Sequence, residues 1–180
     1  MNRLLVVAAI SYLSAVCQAA DSANSATAAF SRLQGLAGEW EGSFQWSGAR
    51  GAAGKMNATY YATGNDSAMV ENLTVDGKPV MTSVYHLDGA DLRLTHFCAA
   101  QNQPRLKADR IDMARGVVNF SFVDITNLRA PDAGHVAALE IRFPDPNHIV
   151  LTFMFESGSQ HSSERIELQR SRPLPPKPAQ

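Results

Sequence analysis

Within the eleven residues Thr95 to Arg105, Thr95-His96-Phe97-Cys98-Ala99-Ala100-Gln101-Asn102-Gln103-Pro104-Arg105, the chain gathers an imidazole, a thiol, three amides and a guanidinium. An imidazole exchanges a proton near neutrality, and a thiolate is a nucleophile. The amides of Gln101, Asn102 and Gln103 can cap a tight loop or hydrogen-bond a ligand. Arg105 can clamp a carboxylate or phosphate with two parallel bonds. Strand alternation divides the group. Leu92, Leu94, His96 and Cys98 fall on one face, and Asp91, Arg93, Thr95 and Phe97 on the other. The two leucines predict that His96 and Cys98 point into a core. An inward histidine needs a hydrogen-bond partner or a ligand, since an unsatisfied buried polar group costs about 1–3 kcal/mol. Cys98 and His96 stand two residues apart, a spacing that does not hold them in a hydrogen bond, and no third group orients them. No catalytic residue is assigned on this ground; His96 is read as a ligand contact or a bonded core histidine, and Cys98 as its neighbour on the ligand side or a small core filler.

Two further residues join the group. Tyr85 lies in the segment Met81 to Leu87, where both faces are mixed; pointing inward, it would offer a phenol beside His96. Glu71, flanked at two residues by Met69 and Leu73, reads as an inward acid and a partner for Arg105. Trp46, Tyr60, Phe153 and Phe155 are the candidate apolar wall. The five histidines are scattered, and with Cys98 they make no tetrahedral metal set. No phosphate-binding glycine loop, Gly-x-Ser-x-Gly elbow or His-Glu-x-x-His is present.

The elements that must position these residues are strands. From Glu39 the hydrophobic period is two, with Trp40, Phe44 and Trp46 alternating against Glu41, Ser43 and Gln45. Strand patterns follow over 55–63, 67–75, 79–87, 91–98, 105–113, 116–124, 136–143, 148–156 and 162–170. They are broken by turn residues that include Asp76-Gly77, Asp88-Gly89 and Ser157-Gly158. No long helical pattern intervenes, which excludes a βαβ design. About ten antiparallel strands in sequence predict an all-β meander closed into a barrel, because closure removes the two exposed edges. The longest internal loop falls at about 125–135, and no internal repeat is evident. Phe30, Leu33 and Leu36 predict a short helical turn before the first strand, stopped by Gly38.

Composition bounds the rest. A positive start at Arg3, an apolar run from Leu4 to Val16 and the small residues around Ala19 read as a signal peptide over 1–20. The run is shorter than the roughly 20 residues a bilayer span needs, so stable membrane insertion is not expected. Val16 before Cys17 argues against lipid attachment there. Removing the signal takes away Arg3 alone among charged residues, so the formal charge moves from −1 to −2. With no basic stripe, nucleic acid is not an expected partner. Cys98 is then the one remaining cysteine of the two, so no intramolecular disulfide can form. Residues 21–30 read as a flexible segment, 31–171 as the barrel domain, and 172–180 as a Pro-rich disordered tail.

Gly38-Glu39-Trp40, opening the first strand after a helical turn, resembles the Gly-x-Trp start of lipocalin-like (calycin) barrels. The resemblance implies that Trp40 closes the barrel floor against an arginine of the last strand, for which Arg170 is the candidate by its parity with Ile166 and Leu168. The Tyr85-His86 strand, the Thr95-His96-Phe97-Cys98 segment and the Asn102-Gln103-Pro104-Arg105 loop are similar to a group of secreted bacterial lipocalin-like proteins, over roughly residues 35–170. Nitrobindin-type haem barrels are a more distant likeness in shape. They would require a late-strand histidine, His148 or His161, and no cofactor is expected here.

The expectation is an exported protein, periplasmic or secreted. Its barrel would hold a small, largely apolar molecule, oriented by His96, Tyr85 and Arg105. The alternatives are an isomerase or hydrolase using His96 as acid–base with Tyr85 or Glu71, and a structural or partner-binding envelope protein with a filled core. A cavity of a few hundred Å³ reaching His96 would favour binding.

Overall fold

The computed structural model describes residues 25–173. The expected signal segment and Cys17 lie outside the described residues, as does the chain beyond Pro173. A helix, α1, spans residues 25–34. Ten strands follow: β1 (Gly38–Gly48), β2 (Ala53–Thr63), β3 (Ala68–Val75), β4 (Lys78–Asp88), β5 (Asp91–Phe97), β6 (Gln103–Asp112), β7 (Val117–Thr126), β8 (His135–Asp145), β9 (His148–Ser157) and β10 (Gln160–Pro173). Each pairs antiparallel with its sequence neighbours, and β10 returns to β1, so the sheet is a closed barrel without edges. Among the described residues, no helix is long and apolar enough to cross a membrane.

Turn chemistry sets the register. Asp76 and Gly77 form the whole two-residue loop between β3 and β4, with φ of 51° and 72°. Both angles are positive, as a type I′ turn requires, and its twist matches the paired strands. Asp88-Gly89 works differently: Asp88 ends β4 and the loop is Gly89-Ala90. At Gly42 an added Cβ would lie 1.8 Å from the Glu167 carbonyl oxygen, so only glycine allows β1 and β10 to approach this closely.

Two boundaries differ from the sequence expectation. Residues 25–30, read as flexible, are helical, and Ala26, Ala29 and Phe30 are buried with Leu33 and Leu36. The small alanines let one face of the helix sit flat on the barrel end, a fit that composition alone does not reveal. At the other end, β10 continues to Pro173 opposite Gly38 rather than stopping before 172. A proline at a strand terminus lacks a donor but disrupts no interior ladder.

α1 covers the floor of the barrel. The Arg32 guanidinium donates to the Asp145 carbonyl at 2.6 Å, and the Gln34 amide to the Asp66 carbonyl at 3.0 Å. The Trp40 indole N–H donates to the Leu36 carbonyl at 2.7 Å. Arg170 lies 4.3 Å above the Trp40 ring and donates to the carbonyls of Gly35 and Ala37 at 2.7 and 2.8 Å. One guanidinium therefore caps the carbonyls at the end of the helix and stacks on the indole that seals the floor.

Candidate functional site

Above the floor the interior holds a row of polar side chains on neighbouring strands. Register places Tyr60 of β2 opposite Glu71 of β3, Glu71 opposite Ser83 of β4, and Ser83 opposite His96 of β5. The Tyr60 and Tyr85 hydroxyls donate to Glu71 Oε2 at 2.8 and 3.1 Å. Ser83 Oγ lies 3.0 Å from His96 Nδ1. Glu71, Ser83, His96, Tyr60 and Tyr85 are all essentially inaccessible to solvent.

Burial raises the Glu71 carboxyl above its ordinary range, although hydrogen bonds from Tyr60, Ser83 and Tyr85 oppose the shift. Burial likewise pushes the His96 imidazole down to about 4, so it is neutral near pH 7. With Nδ1 protonated, His96 donates to Ser83 Oγ, and Ser83 in turn stands opposite Glu71 on the neighbouring strand. His96 Nε2 and Glu71 Oε1 then remain as buried atoms without a protein partner.

This arrangement makes the two Glu71 substitutions behave differently. Gln accepts from both tyrosines and carries no charge to desolvate, so Glu71→Gln is expected to keep or raise stability at neutral pH. The buried acid with a raised folded-state value contributes stability at low pH that is lost as pH rises above its unfolded value. Glu71→Gln should remove that alkaline loss. Glu71→Leu leaves two phenols unpaired and is expected to cost about 1–3 kcal/mol. Urea unfolding of both variants at pH 5 and 8 measures the contrast.

The row is closed from above. The His96 ring packs on the Phe153 ring of β9, with centroids 4.9 Å apart. Phe153 is itself one wall of a cavity at the opposite end of the barrel from α1. That cavity measures about 160 Å³ and is lined by Trp46, Arg50, Cys98, Phe153, Phe155 and Glu164, together with Met81, Val136 and the Ala99-Ala100 turn. His96 does not line it, so the condition set for binding through the histidine, a cavity of a few hundred Å³ reaching it, is not met. The aromatic ring supplied by β9 stands between them. Cys98 does reach the cavity, and burial raises its thiol, which keeps it protonated and weakly nucleophilic.

Arg105 is also corrected. It points outward, roughly half exposed, and forms a bidentate ion pair with Asp124 of β7. It therefore neither orients an interior ligand nor pairs with Glu71. Its parity with the inward residues Pro104 and Leu106 is opposite, a conflict readable in the sequence. The amides of the β5–β6 connection tie the mouth together. Asn102 donates to the Gly134 carbonyl at 2.8 Å, Asn127 donates to Gln103 at 2.6 Å, and Arg129 donates to Gln101.

Two cavity residues escape the sequence reading. Glu164 shares the parity of Ile166 and Leu168, so its inward direction was legible, and it is 4 % exposed. Burial pushes its carboxyl up to about 7, while the Trp46 indole and Arg50 act to lower it. Arg50 comes from the β1–β2 connection, where no periodicity predicts direction. Its guanidinium lies 4.7 Å from the Trp46 ring centre and 4.1 Å from that of Phe155.

His148 and His161 are surface groups beside Asp145 at 2.6 Å and Glu156 at 3.5 Å, with side chains 47 % and 72 % exposed. Neither offers an axial ligand to the interior, and the cavity is smaller than the roughly 300–1,000 Å³ usual for cofactors. These residues do not fit haem. Among the described residues, no group of three or more His, Cys, Asp or Glu side chains could hold a metal ion.

No family model matches the chain, and no curated protein matches it. Among solved structures, it is similar to Rv2717c from M. tuberculosis, with a TM-score of 0.54 and 17 % identity over 80 % of this chain and 98 % of that one. A redesigned β-barrel aligns at a TM-score of 0.37, with 11 % identity over 77 % of this chain and 94 % of that one. At these identities the first likeness speaks to the barrel fold alone.

Proposed function

We propose that this chain is an exported, lipocalin-like barrel that binds a small, largely apolar molecule in the cavity at its mouth. The observation that carries the reading is the cavity itself: aromatic rings from β1 and β9 surround about 160 Å³, and a buried carboxyl is set in its wall. Engineered apolar cavities of about 150 Å³ hold a benzene-sized guest, so the space suits a ligand of roughly one ring. A few polar groups in an apolar pocket fix orientation, and Glu164 takes the role first expected of His96, Tyr85 and Arg105. The Gly38-Glu39-Trp40 start and the stacking of Arg170 on Trp40 support the lipocalin-like assignment. The character of residues 1–20 supports export.

An acid–base enzyme centred on His96 is disfavoured, because Phe153 separates the imidazole from the cavity and a general base must reach the proton it abstracts. Native mass spectrometry of protein purified from its own host tests the proposal. A co-purifying small molecule is expected on the wild type and on His96→Leu, and is expected to be lost when Ala100→Trp fills the cavity. Retention by Ala100→Trp would place the ligand elsewhere and overturn the reading.

A further inference from the structure

The walls of the mouth cavity specify a charge as well as a size. Trp46 and Phe155 meet edge to face, with centroids 5.9 Å apart and planes at 84°, and so form an aromatic corner. The Arg50 guanidinium sits in that corner, over both rings. Glu164 is the one acidic side chain lining the cavity. Its two cross-strand neighbours are Trp46 on β1 and Phe153 on β9, so rings flank the carboxyl on both sides. Negative ring faces beside a buried carboxyl attract a cation, and aromatic corners of this kind recognise ammonium groups.

We propose, resting on the binding reading above, that the ligand carries an ammonium group, which seats over Trp46 and Phe155 beside Glu164 by displacing the Arg50 guanidinium. Arg50 is the occupant already present, and it can leave. It is exposed, and it lies on the connection between Gly48, whose φ is 82°, and Gly51, where an added Cβ would meet nothing within 4 Å. Returned to water, the guanidinium recovers its hydration. The compact ammonium of a ligand with an apolar body can then approach the carboxyl while its body fills the space between Phe153 and Val136.

The ionisation of Glu164 gives a supporting signature. Its carboxyl is held near 7, and the charged or titratable groups facing it are Arg50 and Cys98; the neighbours on β1 and β9 carry no charge. A cation binds the ionised form, so affinity rises as pH increases through about 7 and levels off above it.

Three probes of one shape and different charge test the proposal by calorimetry on the full chain at pH 8: benzylammonium, benzyl alcohol and benzoate. Benzylammonium is expected to bind about ten-fold more tightly than either of the others. Glu164→Gln should abolish that preference. Arg50→Ala should tighten benzylammonium several-fold, because the competing cation is gone. A preference for benzoate that Arg50→Ala weakens would make Arg50 an anion clamp and overturn the proposal. Benzyl alcohol binding as tightly as benzylammonium would overturn the cation claim while leaving the binding barrel standing. Failure of all three probes on both the wild type and Arg50→Ala would overturn the cation claim and count against the cavity as a ligand site. Because Arg50 is on the surface, its variant keeps the test decisive even if Glu164→Gln fails to fold.

Discussion

Trp40→Ala is expected to destabilise the barrel by about 3–5 kcal/mol, the range for removing a large buried aromatic side chain. The indole is 1 % exposed and packs edge to face against Tyr60 at 6.0 Å. Its N–H anchors the Leu36 carbonyl, and its face supports Arg170. Its removal therefore opens a cavity and also loosens the guanidinium that caps the end of α1. Arg170→Ala should cost less than Trp40→Ala, because it removes the cap and leaves the floor packing intact. The two residues share one contact, so their effects should not add. A double-mutant cycle by urea unfolding reads the coupling, expected at about 0.5–3 kcal/mol. Additive losses would show that stacking and capping are independent. If Trp40→Ala lost less than about 1 kcal/mol, the floor would not depend on it.

Acid is expected to destabilise the fold through His96. Its imidazole titrates near 4 when folded, against an ordinary value of 6.5. Between those values the unfolded chain binds more protons than the folded one, so stability rises with pH. The contribution is complete above about 6.5 and is lost as pH falls to about 4. A difference of this size corresponds to about 3 kcal/mol. Glu71 and Glu164 act in the opposite sense, since their raised carboxyls favour the folded state as pH falls. The wild-type curve mixes these effects, so the informative quantity is the difference between the wild type and His96→Leu. That difference is expected to change by about 3 kcal/mol across pH 4–6.5 in urea unfolding, with the variant relatively more acid-resistant. A flat difference would mean that His96 is hydrated in the native state, and the closed row beneath Phe153 would then be open.

Period-two alternation and turn chemistry were enough to read ten strands, their order and their antiparallel pairing, because both are properties of a few consecutive residues. The same parity placed His96, Glu71 and Trp40 toward the interior, where they are buried. Closure follows because ten meandering strands would otherwise leave two exposed edges. Whether an inward side chain meets solvent, a ligand or another side chain was not available locally. His96 is sealed by Phe153, which is fifty-seven residues later in sequence and reaches it only across the barrel. Glu71 finds its partners in Tyr60 and Tyr85, whereas Arg105, on the opposite parity to Leu106, finds Asp124 outside. Arg50 acquires its place over Trp46 and Phe155 because a loop folds back onto the mouth, and a loop has no period from which direction can be read. Local sterics and alternation were enough for the barrel, its turns and the inward faces of the strands with a clean apolar side, while β4, mixed on both faces, took its direction from the closed sheet. The tertiary structure alone decided that the polar row is closed and that the open space lies beside Glu164, since both depend on which distant rings meet once the sheet has closed.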